Sequence, residues 1–332
     1  MDVSIIIINY KTPDLVVDCV RSIKQLTKDI SYEVIVVDND SNDGSVNILN
    51  KELSGDVKLI ESDINLGFGK ANNLGVKYAK GNYVFLLNSD TILINNAVKI
   101  LHDYIIKDKN IGIVGGNLYS ADLKENSSFC LTFDDIETVK KQSSWMYIIG
   151  DILFRQFRQR FYSEEQRRQY IYKNTFNHTN QPMEVGYIFG TDMMLSRSLY
   201  HEMNGFDPEF FMYAEEEELS WRIHQKGYRI VNVPTAKIIH LDGGTFKKDD
   251  SFNAKQYTMR MTGTMVYYKK RFGANGIRKF YHYKMRYLMR QYNLARVMKR
   301  SMLYSITKIQ MDCLKEQYNT VMQGNIYEQA KR

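Results

Sequence analysis

The chain has few cysteines and no long apolar run. Cys19, Cys130 and Cys313 are odd in number and widely spaced, which fits neither a disulfide framework nor a zinc site and makes a reducing cytosol the expected setting. No run approaches the ~20 apolar residues of a membrane span. Met1 leads within two residues into an apolar strand pattern without a basic leader or a small-residue cleavage site, so no secretory signal is expected. A GxGxxG turn is missing after the first strand, where Asn9-Tyr10-Lys11 stands instead, and this argues against a hydride-transfer enzyme. Acids are missing over one long stretch. From Ser251 to Met311 there is no Asp or Glu but there are 14 Lys and Arg, while outside it 31 cations meet 38 acids. The formal charge of +7 therefore describes an acidic body with a basic tail.

What is present is ordinary in bulk and ordered in detail. Hydrophobic residues at 44% and charged residues at 25% over 332 positions suit one large globular domain or two modest ones. Val3 to Ile8 is a near-continuous β-branched run, as in a strand covered on both faces. Thr12-Pro13 opens a helix, and Leu15, Val16, Cys19, Val20, Ile23 and Leu26 give it one apolar face. Strands follow at Glu33–Val37, 57–61, Tyr83–Leu87 and Ile111–Val114, with helices at Ser45–Leu53, from Gly67 to about Lys80, and at Asn95–Ile106. That alternation indicates βαβ units and a mostly parallel sheet. Between about Asn117 and Pro182 the pattern changes. Arginines 155, 158, 160, 167 and 168 mix there with aromatics, and a helical insertion over the crevice is expected. Val185 to Leu195 reads as strand, Ser198 to Met203 and Glu215 to Lys226 as helices, Tyr228 to Val233 as strand, and Ile238-Ile239 leads into His240 and then Gly243-Gly244. No fixed-period repeat is seen.

Candidate chemistry gathers at strand and helix ends. The apolar run Tyr83–Leu87 ends in Asn88-Ser89-Asp90. In an open parallel sheet the carboxyl ends of strands face the ligand crevice, where Asp90 can meet a substrate or metal. Asp38 ends the second strand in the same way and can accept bonds from a base or ribose, or merely cap its turn. Glu215-Glu216-Glu217-Glu218 occupy one first helical turn. Carboxylates complement the helix dipole there, but four in succession fan around the axis, and their mutual repulsion suits one of them, Glu216 or Glu215, to accept a proton. His240, just before Gly243-Gly244, is either a structural histidine or a ligand.

The ordered segments Ile-Ile-Ile-Asn-Tyr, Val-Val-Asp-Asn-Asp-Ser, Asn-Leu-Gly-Phe-Gly-Lys-Ala-Asn-Asn, Leu-Leu-Asn-Ser-Asp-Thr, Gly-Phe-Asp followed by Phe-Phe-Met-Tyr-Ala-Glu-Glu, and His240 before Gly243-Gly244 resemble glycosyltransferase family 2, most of all its bacterial rhamnosyltransferase-like group. The resemblance runs from Val3 to Gly244. It implies a GT-A fold, Rossmann-like and α/β, with a mixed, mostly parallel sheet flanked by helices. It covers a catalytic domain expected at 1–245, including the acceptor-side insertion at about 117–182, beyond which the basic, aromatic-rich stretch 246–332 is expected as a C-terminal helical region. It further implies an inverting mechanism, a nucleoside-diphosphate sugar donor such as dTDP-rhamnose or a UDP-hexose, and a glycan or lipid-linked glycan acceptor in bacterial surface polysaccharide synthesis. Carried over by position, Asp38 contacts the base, with Asn9, Tyr10 and the stretch containing Asn65, Gly67 and Asn72 beside the nucleoside. Asn88-Ser89-Asp90 stands where the family has its D-x-D-like motif, with an amide in place of the first acid. Asp90 and His240 then hold Mn²⁺ or Mg²⁺, and Glu216, with Glu215 as the neighbouring choice, is the general base.

In the basic tail, aromatics alternate with cations, and Ile277, Phe280, Tyr281, Leu288, Tyr292, Ala295, Met298, Met302, Ile306 and Ile309 recur at roughly helical spacing. Such a tail either packs as a helical subdomain or lies on anionic lipid, placing the enzyme on the inner face of the cell membrane. It could equally cover a partner subunit, which leaves a homo-oligomer open. Nucleic acid is not expected as a partner, because single-strand binding leaves Asp90, Glu215–Glu218 and His240 without a role. A nucleotide-sugar-binding module without turnover is the remaining alternative, motivated by Asn88 and Glu216.

Overall fold

The computed structural model describes residues 1–53, 55, 57–241 and 252–324, apart from the side chains of residues 155, 168 and 169. The chain runs β1 (Val3–Asn9), α1 (Pro13–Leu26), β2 (Tyr32–Asn39), α2 (Ser45–Glu52), β3 (Lys58–Ser62), α3 (Gly67–Val76), β4 (Tyr83–Asn88), β5 (Thr91–Leu93), α4 (Ala97–Ile105) and β6 (Ile111–Tyr119). Next come β7 (Glu125–Asn126), β8 (Phe129–Cys130), α5 (Ile136–Gln142), α6 (Trp145–Phe161), α7 (Glu164–Tyr172), β9 (Met183–Glu184), β10 (Tyr187–Ile188) and β11 (Asp192–Ser196). The last elements are α8 (Arg197–Glu202), α9 (Glu215–Gln225), β12 (Arg229–His240), α10 (Ala254–Val297) and α11 (Ser301–Gln323). They form two compact units, one of Met1–Phe133, Arg168–Pro208 and Glu216–Lys248, the other of Asp134–Arg167, Glu209–Glu215 and Asp249–Arg332.

The first unit is built on a 10-stranded mixed sheet with the main order β3-β2-β1-β4-β11-β6-β12-β5. β3, β2, β1 and β4 are mutually parallel, β11 runs antiparallel between β4 and β6, and β12 is parallel to β6. Strand side chains alternate between faces, and the core divides accordingly. Val3, Ile5 and Ile7 join Val16, Val20, Ile23 and Leu101 under α1 and α4. Ile6 joins Val76, Leu199, Leu219 and Ile223 under α3, α8 and α9. Burial on both faces is why β1 and β4 read as unbroken apolar runs.

The second unit packs α10 and α11 with α5 and the segment 209–215 around Phe210, Met265, Val266, Tyr267, Tyr268, Ile277, Phe280, Leu288, Leu314 and Val321. The long α10 is broken at Gly273, whose φ of 68° is a left-handed value that glycine adopts without strain. Four of the tail's ten periodic apolar positions, Ile277, Phe280, Leu288 and Ala295, are thus buried within the protein.

Three expectations change. Tyr228–Val233 and Ile238-Ile239 are one strand, β12, of 12 residues. Its Pro234 is tolerated because the pairing with β6 slips between Asn232 and Lys237, so the missing N–H costs no ladder bond there. The expected strand Val185–Leu195 splits into β10 and β11, since Gly190 lies against the Phe68 ring: a Cβ there would approach it to 3.1 Å. The stretch 117–182 is not helical throughout. Its start extends β6, which turns back on β7, and β8 pairs with β10 before α5, α6 and α7 begin. Asn126 and Ser128, both buried, carry this return, and Ser128 donates to the Asn126 carbonyl.

Candidate active site

The register of the parallel strands sets Asn9 opposite Asp38 and Ile8 opposite Asn88, so three polar side chains arrive together at one sheet edge. Asn9 and Asp38 are buried, and burial obliges them to find partners. Asn9 Nδ2 donates to Asp38 Oδ1 at 2.6 Å and to Ser41 Oγ at 3.1 Å. Ser41 donates its hydroxyl to Asp38 Oδ1 and its N–H to Oδ2. Lys11 N–H donates to Ser41 Oγ, which ties the loop bearing Tyr10, half-buried beside it, to the same clasp.

Beside this clasp Asn39, buried and overlooked in the sequence, receives the glycine-rich segment. Its Oδ1 accepts the Leu66 N–H at 2.8 Å and its Nδ2 donates to Asn65 Oδ1 at 3.0 Å. Asn65 Oδ1 also accepts from Gly67 N–H, and Gly67 itself has a φ of 73°. Asn72 turns inward along α3 and donates to the Phe68 carbonyl at 3.0 Å. The neighbouring Asn73 spans further. Its Nδ2 donates to the Phe206 carbonyl, and its Oδ1 accepts from Phe206 N–H and Tyr200 Oη. It thereby anchors the Gly-Phe-Asp turn, a role that periodicity could not reveal.

At the end of β4 the Asn88–Thr91 turn is locked by the Thr91 hydroxyl, which donates to the Asn88 carbonyl at 2.7 Å. Ser89 Oγ lies 3.4 Å from Thr12 Oγ1. Cys19 is buried beneath, 3.4 Å from Thr91 Oγ1, and burial pushes its thiol up to about 12, so it stays a thiol and no ligand. β5 then pairs with β12, His240 opposite Thr91, and Leu241 N–H donates to the Asp90 carbonyl. His240 Nε2 and Asp90 Oδ1 are consequently 3.3 Å apart. Residues far apart in sequence have been brought side by side. Two donors on one octahedral Mg²⁺-sized cation sit ~3 Å apart when each bonds it at ~2.1 Å, so an imidazole and a carboxylate at this spacing suit a divalent ion. Among the described residues no group of three His, Cys, Asp or Glu does, which leaves further positions to a ligand's own oxygens and water. Gly243 and Gly244 lie outside the described residues.

The four glutamates of α9 are sorted by burial. Glu215, Glu217 and Glu218 are 2%, 5% and 3% exposed, whereas Glu216 is partly exposed. Glu218 forms a bidentate pair with Arg222, both bonds at 2.8 Å. Arg222 also donates to the Met203 and Gly205 carbonyls, so this acid holds the turn after α8. Tyr187 is kept well above the usual phenol range by burial and by the nearby charges of Glu217 and Glu216. Glu216 Cβ would be 3.8 Å from a Cβ at Gly190, which sets Glu216, Phe68 and the β10–β11 break together. Just ahead of α9, Tyr213 and Ala214 both have left-handed φ, 74° and 70°, a strained entry. In the second unit Gln256 Nε2 donates to Tyr213 Oη, and α10 approaches so closely that a Cβ at Gly263 would lie 2.1 Å from the Tyr213 carbonyl oxygen.

Asp192 also escaped the sequence reading. It opens β11 opposite Leu87, one residue after Thr191, whose carbonyl accepts the Asn88 N–H. It is wholly buried. Its Oδ2 accepts the Gly116 N–H at 2.5 Å, and Asn232 Nδ2 donates to the Gly116 carbonyl at 2.7 Å. Burial drives its carboxyl well above the usual range, against a smaller opposite effect of that N–H.

The family profile described as Glycosyl transferase family 2 matches residues 4–203. The chain is 31% identical over 136 residues to Glycosyltransferase GlyG of Streptococcus pneumoniae serotype 4, covering 40% of this chain and 44% of that one. It is 24% identical over 201 residues to Rhamnosyltransferase WbbL of Escherichia coli K12, covering 60% and 69%. A poly(ribitol-phosphate) beta-glucosyltransferase of Bacillus spizizenii is 36% identical over 102 residues, covering 30% and 16%. The chain thus spans less than half the length of two of these three relatives. Among solved structures, that titled GalNAc-T7 with UDP, GalNAc and Mn²⁺ superposes with a TM-score of 0.56 at 15% identity, covering 99% of this chain and 58% of that one. S. aureus TarS does so with a TM-score of 0.50 at 15% identity, covering 87% and 44%. These likenesses assign the GT-A fold.

Asp192 yields a pH test. A carboxyl whose folded pKa is raised supports stability fully below its unfolded value of ~3.9 and loses that support as pH rises toward the folded value. Asn supplies an oxygen for Gly116 N–H and needs no proton. Asp192→Asn is therefore at least as stable as the parent at neutral pH and loses the parent's decline in stability above about pH 4, as read by urea unfolding at several pH values. Parallel pH profiles for the two proteins would contradict a protonated Asp192.

Proposed function

Because the chain belongs to glycosyl transferase family 2, we propose that it is an inverting glycosyltransferase that moves a sugar from a nucleoside-diphosphate donor to a glycan or lipid-linked glycan acceptor in bacterial surface polysaccharide synthesis. The observation that carries this reading is the sorting of the α9 glutamates, in which Glu216 alone of the four is not buried. The likeness to a rhamnosyltransferase supports a rhamnosyl donor, for which dTDP-rhamnose is our choice, and the UDP bound in the GalNAc-T7 structure supports a UDP-hexose as the other.

In this reading the Asn9–Asp38–Ser41 clasp and the Asn65–Gly67 segment form the wall against which the nucleoside lies. Asp38 keeps acceptor capacity for the base on Oδ2, which takes a single protein N–H. Asp90 and His240 hold a divalent cation, Mn²⁺ or Mg²⁺, which when bound offsets the negative charge on the leaving diphosphate. Glu216 lies beside Gly190 and takes the proton of the acceptor hydroxyl as that oxygen attacks the anomeric carbon from the side opposite the nucleotide. Glu215, buried at 2% exposure, is the less suited of the two candidates. The protein works in the cytoplasm, at the inner face of the membrane where a lipid-linked acceptor is presented.

Thermal unfolding with UDP, dTDP, GDP and CDP, each with and without Mn²⁺, tests the donor site. A nucleotide at a hundred times its dissociation constant adds ~2.7 kcal/mol, so one of the four should raise the melting temperature by several degrees, and only with metal. No shift with any of them removes the donor site. Glu216→Gln should keep that shift while transfer falls by ~10²–10⁴-fold, the usual worth of a general base; undiminished transfer takes the base role from Glu216, and a shift without transfer in the parent on every acceptor favours the binding module. His240→Ala should raise the Mn²⁺ concentration needed for half-maximal activity, and an unchanged requirement removes His240 from the cation site.

A further inference from the structure

α6 presents an unusual face. Ile148 is buried and Ile152 half-buried, as expected of its inner side. Met146, Ile149, Leu153, Phe157 and Phe161 follow one another at intervals of three and four residues, which places them on one stripe. All five are exposed, Met146 by 85% and Phe161 by 64%. The stripe runs ~22 Å along the helix at ~1.5 Å per residue. Scattered exposed hydrophobics need no explanation, but five in line constitute a contiguous patch of the kind that marks a partner or a membrane.

The charges beside the stripe decide between those two. α6 carries three arginines and a single acid, Asp151. The Arg158 guanidinium lies 4.9 Å from the Phe154 ring centroid, and that of Arg160 lies 5.8 Å from the Phe161 centroid. Guanidinium groups held beside aromatic rings can meet headgroups at the level where those rings enter the acyl boundary. Trp145 and Tyr147, both exposed, begin the helix with the ring types that favour such a boundary. No helix among the described residues is long and apolar enough to cross a bilayer, so the geometry is that of a helix lying on one.

The α10–α11 hairpin extends the same chemistry. Along α10 the apolar register is buried at Ile277, Phe280, Leu288 and Ala295, but at the turn Val297, Met298, Met302 and Leu303 are exposed. Arg296, Lys299 and Arg300 are exposed among them. A hollow of about 470 Å³ opens there, lined by Lys299, Arg300, Ser301, Met302, Leu303 and Ile306. Arg290, two turns before the tip, stacks on Trp145 at 5.3 Å and donates to the Ser143 carbonyl. The start of α6 and the tip are therefore ~10 Å apart along α10.

We propose that the outer stripe of α6 and the α10–α11 tip form one surface that seats the protein on an anionic bilayer. The membrane contact thus moves from the basic tail as a whole to these two elements, the tail's apolar face being buried at Ile277, Phe280, Leu288 and Ala295. A second copy of the chain fits this surface poorly, since stripe against stripe would bring the arginines of both copies together with too few acids to answer them. The proposal stands apart from the donor-site reading, and its test needs no turnover.

The full chain should co-sediment with vesicles of equal parts phosphatidylglycerol and phosphatidylcholine at moderate salt, and not with phosphatidylcholine alone. Leu153→Gln with Phe157→Gln, both at exposed positions, should weaken binding by roughly tenfold or more with the melting temperature unchanged, and Arg158→Gln with Arg160→Gln, the first half-buried and the second exposed, should weaken it to a similar extent. Trp221→Phe leaves Trp145 as the sole tryptophan, and brominated anionic vesicles should quench its emission. Binding unaltered in both double variants, or absence of quenching, overturns the proposal. So does self-association of the parent that Leu153→Gln with Phe157→Gln abolishes without any vesicle binding, which would make the stripe an interface between copies.

Discussion

The structure depends on the requirement that polar groups at the ends of buried strands be satisfied. β1 and β2 bring the buried Asn9 and Asp38 opposite each other at their carboxyl ends, and β4 ends beside them in Asn88, opposite Ile8. A buried carboxylate without partners costs several kcal/mol. Asp38 avoids that cost through three bonds from Asn9 and Ser41. Those bonds also fix the loops that follow β1 and β2, and Asn39 extends the restraint to the segment opening α3. What stabilises the sheet edge is thus what shapes the wall we propose for the donor, and much of the motif is scaffold. Asn65 and Asn72 in particular direct hydrogen bonds inward, to Asn39, Gly67 and Phe68.

The same separation of scaffold from chemistry runs through α9. Four acids in one turn cannot all be exposed, because successive residues turn by ~100°. The structure assigns Glu218 to Arg222 and the Met203–Gly205 turn, places Glu217 next to the buried Tyr187, and leaves Glu216 facing the gap at Gly190. The left-handed backbone at Tyr213 and Ala214 rotates the entry to this helix, and a strained entry persists only where its surroundings hold it. Gly263 and Gln256 of α10 supply that hold. A helix far along the chain thereby sets the orientation of the segment from which α9 starts.

Legibility in the sequence followed the range of the interaction. β1, α1, β2 and β4 were visible because apolar runs and a Thr-Pro start are local signals, and Asp38, Asp90, His240 and Glu216 because strand and helix ends are visible in the same way. The adjacency of Asp90 and His240 depends on β5 pairing with β12, which no local pattern predicts. Pro234 divided β12 in the sequence because the slipped register that accommodates it is a property of two strands, not one. Asp192 and Asn73 went unseen for a related reason. Each is a polar residue among apolar neighbours, and its importance lies in partners at Gly116, Tyr200 and Phe206 that are distant in sequence.

The second unit shows the limit of periodicity. A helical spacing of apolar residues says that one face is apolar, not what covers it. In α10 the apolar register is buried at Leu288 and Ala295, and Met298, three residues on, is exposed. In α6 the inner side is satisfied by Ile148, and the outer stripe repeats the spacing without a cover. Each large apolar side chain kept in water forgoes ~1.5–3 kcal/mol of burial, so a face meant for water would be served better by Glu, Lys or Gln at those positions. Arginines flanking such a face, with one acid on the helix, add a preference of sign to the preference for burial. Apolarity alone would accept any covering surface. Joined to a basic composition, three arginines to one acid along the helix, it selects one that is apolar within and negative at its rim, and a bilayer with anionic headgroups has that profile.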